Sequence, residues 1–577
     1  MKKSIIFGAA VALLGASLSS CDDFLNDNRY PLSSQVVNSE FWSNSVNVEN
    51  QINYFYEDFL GYGNGTGYGN FYFKWTTDDQ CGRTTFAQWL NQSVPTASSN
   101  WSGPYTEIRR ACLMMQGVES STLPEASKTN YIALGRLHRG RQYFALVKRY
   151  GDVPLVKEVL DPSMKDELYM ERTNRNEVMD FAIEDLEFAT KNIAAQSGKT
   201  VFSKDMAQAV LCEVCLYEAS YARYHQKDET RAKAMYQKAI TAGEAIAAKY
   251  PICDDYLSLY KSFNGAGGGY NGLSTNSEVI FMKPYAQDVL MHSTMDYSCA
   301  SDGIAGLTRD AFDAFLLRTG ELSTGASDKG EPVMVTDEDG NERIKNIDIQ
   351  GLLDVRDKRL EMTTYPMLIF QGYTWAGPNT AAMYSMSGYG VSKYDNFTIS
   401  NADATTANKQ FTCAPLFWGA RLYLNILEAK AELGTLTNDD LTKYMAPLWK
   451  RGEIDQTKCT VAHLSSLTDP ANDRGVSNLI WEIRRCRRCE LMMDDDIRYW
   501  DLVRWHMLDK LDTTKYPSII QGANVSMVTE NKPETIGDYL DCSYGQKREW
   551  NDCQYLFPIP SDQLGLNEKL TQNPGWK

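Results

Sequence analysis

Several constellations in this 577-residue chain have the residue types for chemistry. Asp78 and Asp79 are adjacent carboxylates, and glycoside hydrolysis needs two carboxyls flanking one bond. Adjacent side chains rarely face one pocket, so Asp78 reads better as an acceptor for ligand hydroxyls. Arg487, Arg488, Glu490, Asp501 and Arg504 have the types of an acid/base cluster. On helices such a set more often forms ion pairs across a packed seam. Asp337-Glu338-Asp339-Gly340-Asn341 resembles a calcium loop, but Gly340 comes too early and the closing Glu is missing. A hairpin turn on Asp339-Gly340 is the better reading. His138, His225, His292, His463 and His506 are too far apart for a zinc spacing of the H-x3-5-H kind. Cys212/Cys215 and Cys486/Cys489 have C-x-x-C spacing inside helical patterns, without a second ligand pair, and read as small buried residues. Cys542 and Cys553 flank a short polar stretch and are the better disulfide candidates. No metal, cofactor or catalytic group is expected.

The composition sets the frame. Apolar residues make up 43% and charged residues 23%, which excludes disorder along the whole chain. The net charge of -16 makes a nucleic-acid partner a poor fit. At the N-terminus, Lys2 and Lys3 precede the apolar run Ile5–Leu14, which is too short to span a bilayer. Leu18-Ser19-Ser20-Cys21 follows and looks like a bacterial lipobox. Residues 1–20 are then a signal peptide, and Cys21 carries the lipid (diacylglycerol, palmitate). No other stretch is long and apolar enough to cross a membrane, so the mature chain is expected to be anchored by lipid alone.

Binding chemistry is concentrated in loops. Aromatic rings suit the C–H faces of sugars, while Asp, Asn and Arg suit hydroxyls. One candidate region is 72–105, with Trp75, Asp78 and Arg83. A second is 371–394, with Tyr373, Trp375, Tyr384 and Tyr389. Trp101, at helical spacing with Tyr105 and Ile108, belongs to the core instead.

The elements that must position these loops are mostly helical. Apolar residues at helical spacing predict helices over 130–150, 174–194, 203–224, 230–249, 414–433 and 476–511. Gly151-Asp152-Val153-Pro154 stops the first, and Ser203 is the N-cap of the third. The alternation of small and large residues over 203–249 is similar to tetratricopeptide units. Glycine-rich runs at 61–70 and 264–272 interrupt the helical pattern.

Three stretches are more specific. The first is Arg141-Gln142-Tyr143-Phe144-Ala145-Leu146-Val147-Lys148-Arg149-Tyr150-Gly151-Asp152-Val153-Pro154-Leu155. The second holds Arg487-Arg488-Cys489-Glu490-Leu491 and Arg498-Tyr499-Trp500-Asp501-Leu502-Val503-Arg504-Trp505. The third is the tail, with Leu556-Phe557-Pro558-Ile559-Pro560, Asn567 and Leu570-Thr571-Gln572-Asn573-Pro574-Gly575-Trp576. With the lipobox, these resemble the SusD/RagB family of outer-membrane nutrient-binding lipoproteins over essentially the whole mature chain. Two departures stand out: Cys486 where the family usually has Glu, and Asp494-Asp495-Asp496 where it has an acidic-Gly step.

The resemblance implies a mainly α fold, with a tetratricopeptide-like scaffold of helical hairpins and long loop-rich insertions. It implies an N-terminal region over 21–265 and a C-terminal region over 266–577 with an extended tail. It also implies that the three motifs are scaffold, and that a SusC-like TonB-dependent porin is the partner. The expected role is capture of a glycan at the cell surface and its delivery to that porin. An oligopeptide-binding member of the same family is the alternative. A surface glycosidase and an adhesin are more distant readings.

Overall fold

Helix α1 (Ser99–Glu119) turns back into α2 (Glu125–Tyr150), and the two pack together. Helix α2 packs on α3 (Arg175–Asn192), α3 on α4 (Lys204–Tyr221) and α4 on α5 (Glu229–Ala247). Helix α6 (Gly419–Leu433) joins this array against α4 and α5, and α7 (Asn478–Glu490) packs on α6. Helix α8 (Ile497–Arg504) lies against α4. This is a computed structural model, and it describes residues 39–577 apart from 68, 70, 72–76, 83–92, 264–271, 300–304, 371, 374, 376–384, 397 and 544.

Local chemistry sets the helix ends. The Asn174, Ser203 and Asp228 side chains accept from the backbone N–H of Asn176, Met206 and Arg231 at 2.9, 3.1 and 2.9 Å. Such caps satisfy donors that the first turn leaves open. Gly151 ends α2 with φ +71°, a conformation glycine adopts without a Cβ penalty. The crossings need small residues. A Cβ on Gly140 would stand 2.8 Å from the Ala182 carbonyl oxygen, and one on Gly243 would stand 2.7 Å from Ile426 Cγ1. The mainly α, tetratricopeptide-like architecture is therefore present.

Strands β1 (Gln80–Gly82), β2 (Val279–Lys283), β3 (Ala305–Leu307), β4 (Glu331–Thr336), β5 (Glu342–Asp348) and β6 (Ala414–Trp418) form antiparallel pairs, β1 with β3, β2 with β6 and β4 with β5. Strands β7 (Gln521–Asn524), β8 (Thr535–Ile536) and β9 (Tyr539–Asp541) form a sheet in the order β7-β9-β8. The acidic stretch at 337–341 is the turn of the β4–β5 hairpin. Asp337 accepts from the backbone of Asp339 and Asn341 at 3.0 and 2.9 Å, and Gly340 has φ +84°.

Three expectations need correction. Residues 414–418 are not helical but pair as β6 with β2, because the run Leu416-Phe417-Trp418 finds an apolar partner strand in Val279–Lys283. The helix expected over 476–511 is two helices, parted by a turn in which Met493 and Asp495 have φ +67° and +47°. Cys542 and Cys553 are both free thiols. Cys542 is buried in contact with Cys81, while Cys553 packs on Gly575. The C-x-x-C cysteines are buried on α4 and α7. The tail runs over the helical body, with the Phe557 N–H on the Arg149 carbonyl at 2.6 Å and the Asn573 amide on the Tyr150 carbonyl at 3.0 Å. Among the described residues, no helix is long and apolar enough to cross a membrane.

Candidate functional site

The segment before β1 brings Asp78 and Asp79 into the protein interior. Arg498 of α8 grips Asp78 with two bonds, Nε to Oδ1 at 2.8 Å and Nη2 to Oδ2 at 2.7 Å. Arg488 of α7 donates to Asp79 at 2.7 Å, and Lys510 lies 3.1 Å from Asp78. Asp310 closes the network through Arg488 and Lys510 at 2.7 and 3.0 Å. Three carboxylates thus balance three cations. Burial alone would raise the Asp78 pKa, but Arg488, Arg498 and Lys510 hold it well below the usual carboxylate range. Asp79 is pushed up, first by burial and then by the Asp78 charge, against the pull of Arg488. Asp78 is therefore an internal clamp and not the hydroxyl acceptor expected of it.

The described loop aromatics fall into two groups. Tyr389 is 2% exposed and stacked on Phe312 at 4.3 Å, so it is a core ring and not a ligand contact. Tyr373 is also buried, stacked on Phe370 at 4.5 Å, with its hydroxyl on the Glu530 carbonyl at 3.3 Å. Trp375 differs. It is half-buried and meets Tyr365 edge-on at 5.3 Å. The Tyr365 hydroxyl is buried and has no hydrogen-bond partner among the described residues. Trp75, Arg83, Tyr384 and the lipidation candidate Cys21 lie outside the described residues.

A cleft of about 390 Å³ opens beside the ion network. Its chemistry comes from Arg309, Asp313, Asp328 and Trp481, none of which the sequence singled out for binding. Arg309 lies 3.4 Å from Asp313 and 3.7 Å over the Tyr539 ring. Burial lifts the Asp313 pKa to about 6, against Arg309 and Arg356 and helped by Asp310 and Asp328. The Trp481 indole N–H donates to Asp469 at 2.6 Å. Carboxylate acceptors, a guanidinium and an indole around one space suit a ligand rich in hydroxyls. No spacing signal could have found this set, because the fold brings residues 309–328 and 469–481 together only in space.

These features define a class: a scaffold of packed helical hairpins with loop-rich insertions. The chain belongs to the SusD family, whose model matches residues 189–576. A second model, described as "Starch-binding associating with outer membrane", matches residues 33–216. A curated SusD-like protein of Bacteroides ovatus is 30% identical over 135 residues, which is 23% of this chain and 24% of that relative's length. Among solved structures, the chain is similar to a SusD-like carbohydrate-binding protein of Bacteroides fragilis, with TM-score 0.67 and 19% identity over 92% of this chain and 100% of that one. A second SusD-like protein of that organism gives TM-score 0.66 and 20% identity over 94% and 99%. A laminarin-binding SusD-like protein gives TM-score 0.53 and 17% identity over 92% and 100%. At these identities the structural likeness speaks for the fold.

Proposed function

We propose that this protein captures a glycan at the outer surface of the outer membrane and passes it to a SusC-like TonB-dependent porin, without turning it over. Family membership supports the class of function, and one of the similar structures is of a laminarin-binding protein. The observation that carries the reading for this chain is Trp375, a half-buried ring edge-on to Tyr365, whose hydroxyl has no hydrogen-bond partner among the described residues. An indole face and a waiting donor are what one sugar unit requires. Trp75, Arg83 and Tyr384 join this reading as candidate contacts, with the 309–328 cleft as the second polar surface.

The test is calorimetric titration of the mature protein with laminarin and maltodextrin oligosaccharides, repeated with Trp375→Ala and Trp75→Ala. Trp375→Ala should weaken binding about tenfold, equivalent to about 1.4 kcal/mol, with the melting temperature nearly unchanged. Binding of oligopeptides in place of every glycan tried would move the reading to the oligopeptide alternative. Unchanged affinity would remove Trp375 from the site. No hydrolysis products should appear on prolonged incubation.

A further inference from the structure

Helix α2 carries Arg141, Lys148 and Arg149 into a second cavity, of about 240 Å³, walled by α4 and the α7–α8 turn. These cations are poorly matched. Lys148 has no hydrogen bond and no carboxylate within 4 Å among the described residues; its Nζ rests 4.4 Å from the Trp500 ring centre and 5.1 Å from that of Phe144. Among the described residues the Arg149 side chain donates only to the Ala145 carbonyl of its own helix, at 3.0 Å. Arg141 lies 3.8 Å over Phe59, with its nearest carboxylate oxygen, on Asp58, 3.9 Å away. Across the cavity Glu213 is held by Arg421 at 2.7 Å, while Asp495 is 3.8 Å from Arg421. Tyr217 also lines the space. It is 3% exposed, and its hydroxyl has no hydrogen-bond partner among the described residues.

A half-enclosed group of cations without close counter-ions is costly, and so is an orphaned buried hydroxyl. One ligand would satisfy both. We propose that this cavity binds a single uronate unit of an acidic glycan. Its carboxylate sits among Arg141, Lys148 and Arg149 and accepts from the Tyr217 hydroxyl, while its own hydroxyls donate to Glu213 and Asp495. Phe144 offers an apolar surface to the ring. A dianion such as phosphate fits worse, because Glu213, Asp495 and Asp496 face the same space and would repel a second charge. The volume lies below the range of pockets for drug-sized molecules, which suits one sugar unit and not a chain. The site takes its setting from the glycan reading above but uses none of the same residues.

The experiment is titration of the full mature chain with D-galacturonate, D-glucuronate, the matching neutral hexoses, and acetate. The uronates should bind at least tenfold tighter than the hexoses or acetate. Lys148→Met and Tyr217→Phe should each weaken the uronates at least tenfold with folding retained, and Lys148→Arg should keep most of the affinity. Absent uronate binding, uronates binding no better than neutral hexoses, or uronate affinity unmoved in both Lys148→Met and Tyr217→Phe, would overturn the site. Acetate binding as tightly as a uronate would overturn the sugar assignment. Uronate binding without any neutral-oligosaccharide binding would support this site and sink the Trp375 reading alone.

Discussion

At the scale of single residues, one buried and one half-buried charge show how context decides function. Asp78 has its charge fully met by Arg498, Arg488 and Lys510. Asp78→Asn would leave those cations underpaired inside the protein. It should destabilise the fold by about 3–5 kcal/mol, read as a shifted urea midpoint at unchanged slope; a loss below about 1 kcal/mol would show the clamp to be dispensable. Lys148 is the reverse case. Burial and the neighbouring Arg149 charge lower its pKa to about 7, against the pull of Glu213, Asp496 and Asp495. The unfolded lysine titrates near about 10.4. Between those values the unfolded chain holds a proton that the folded chain has shed, so this group's contribution to stability rises with pH. Below about pH 7 both states are charged and the penalty stands in full. Lys148→Met should therefore melt higher than the parent at pH 6, and the gap should shrink as pH rises toward 10. A constant or widening gap would refute the depressed pKa. Neither role was legible in the sequence. Asp78 and Arg498 lie 420 positions apart, and Lys148 sits in a motif that reads as plain amphipathic helix.

At the scale of elements, most helices could be read directly because caps, apolar spacing and stop signals agree within each segment. The pair expected at 203–224 and 230–249 is Lys204–Tyr221 and Glu229–Ala247, with the Ser203 cap in place. Misreadings fell where tertiary partners override local pattern. Residues 414–418 are apolar enough for either state, and only β2, more than a hundred residues earlier, selects strand. The break after Glu490 depends on two non-glycine residues with positive φ, which no local residue signal announces. The candidate loops were legible as aromatic-rich composition, but not as positions: Tyr389 is a core ring, while Trp375 is half-buried against Tyr365. Close helix crossings give the element-scale test. Gly243→Val would force a branched side chain against Ile426 and should cost about 1–3 kcal/mol or more. Gly103→Ala, on α1 with open space around its would-be Cβ, should be neutral or stabilising by up to about 1 kcal/mol. Equal melting temperatures for the two variants would refute close packing as the reason for glycine at position 243.

At the scale of the whole molecule, the proposed place at the outer membrane must be reconciled with 74 acidic and 58 basic side chains. Anionic headgroups repel such a surface, so charge does not hold it there. Among the described residues no helix offers a span. Lipid attachment is proposed at Cys21, behind Leu18-Ser19-Ser20 and a ten-residue apolar run. Each buried methylene of an acyl chain contributes about 0.8 kcal/mol, so two or more chains anchor firmly where one holds only marginally. Cys21→Ala should thus move the protein from the membrane fraction to the soluble fraction when it is expressed without the proposed porin. Co-expression with the proposed SusC-like porin separates the two means of retention. If the porin alone holds the variant, a chaotrope wash should release it while leaving the lipidated parent in place. Retention of Cys21→Ala through that wash, in the absence of the porin, would refute lipid anchoring at this position and require another membrane contact.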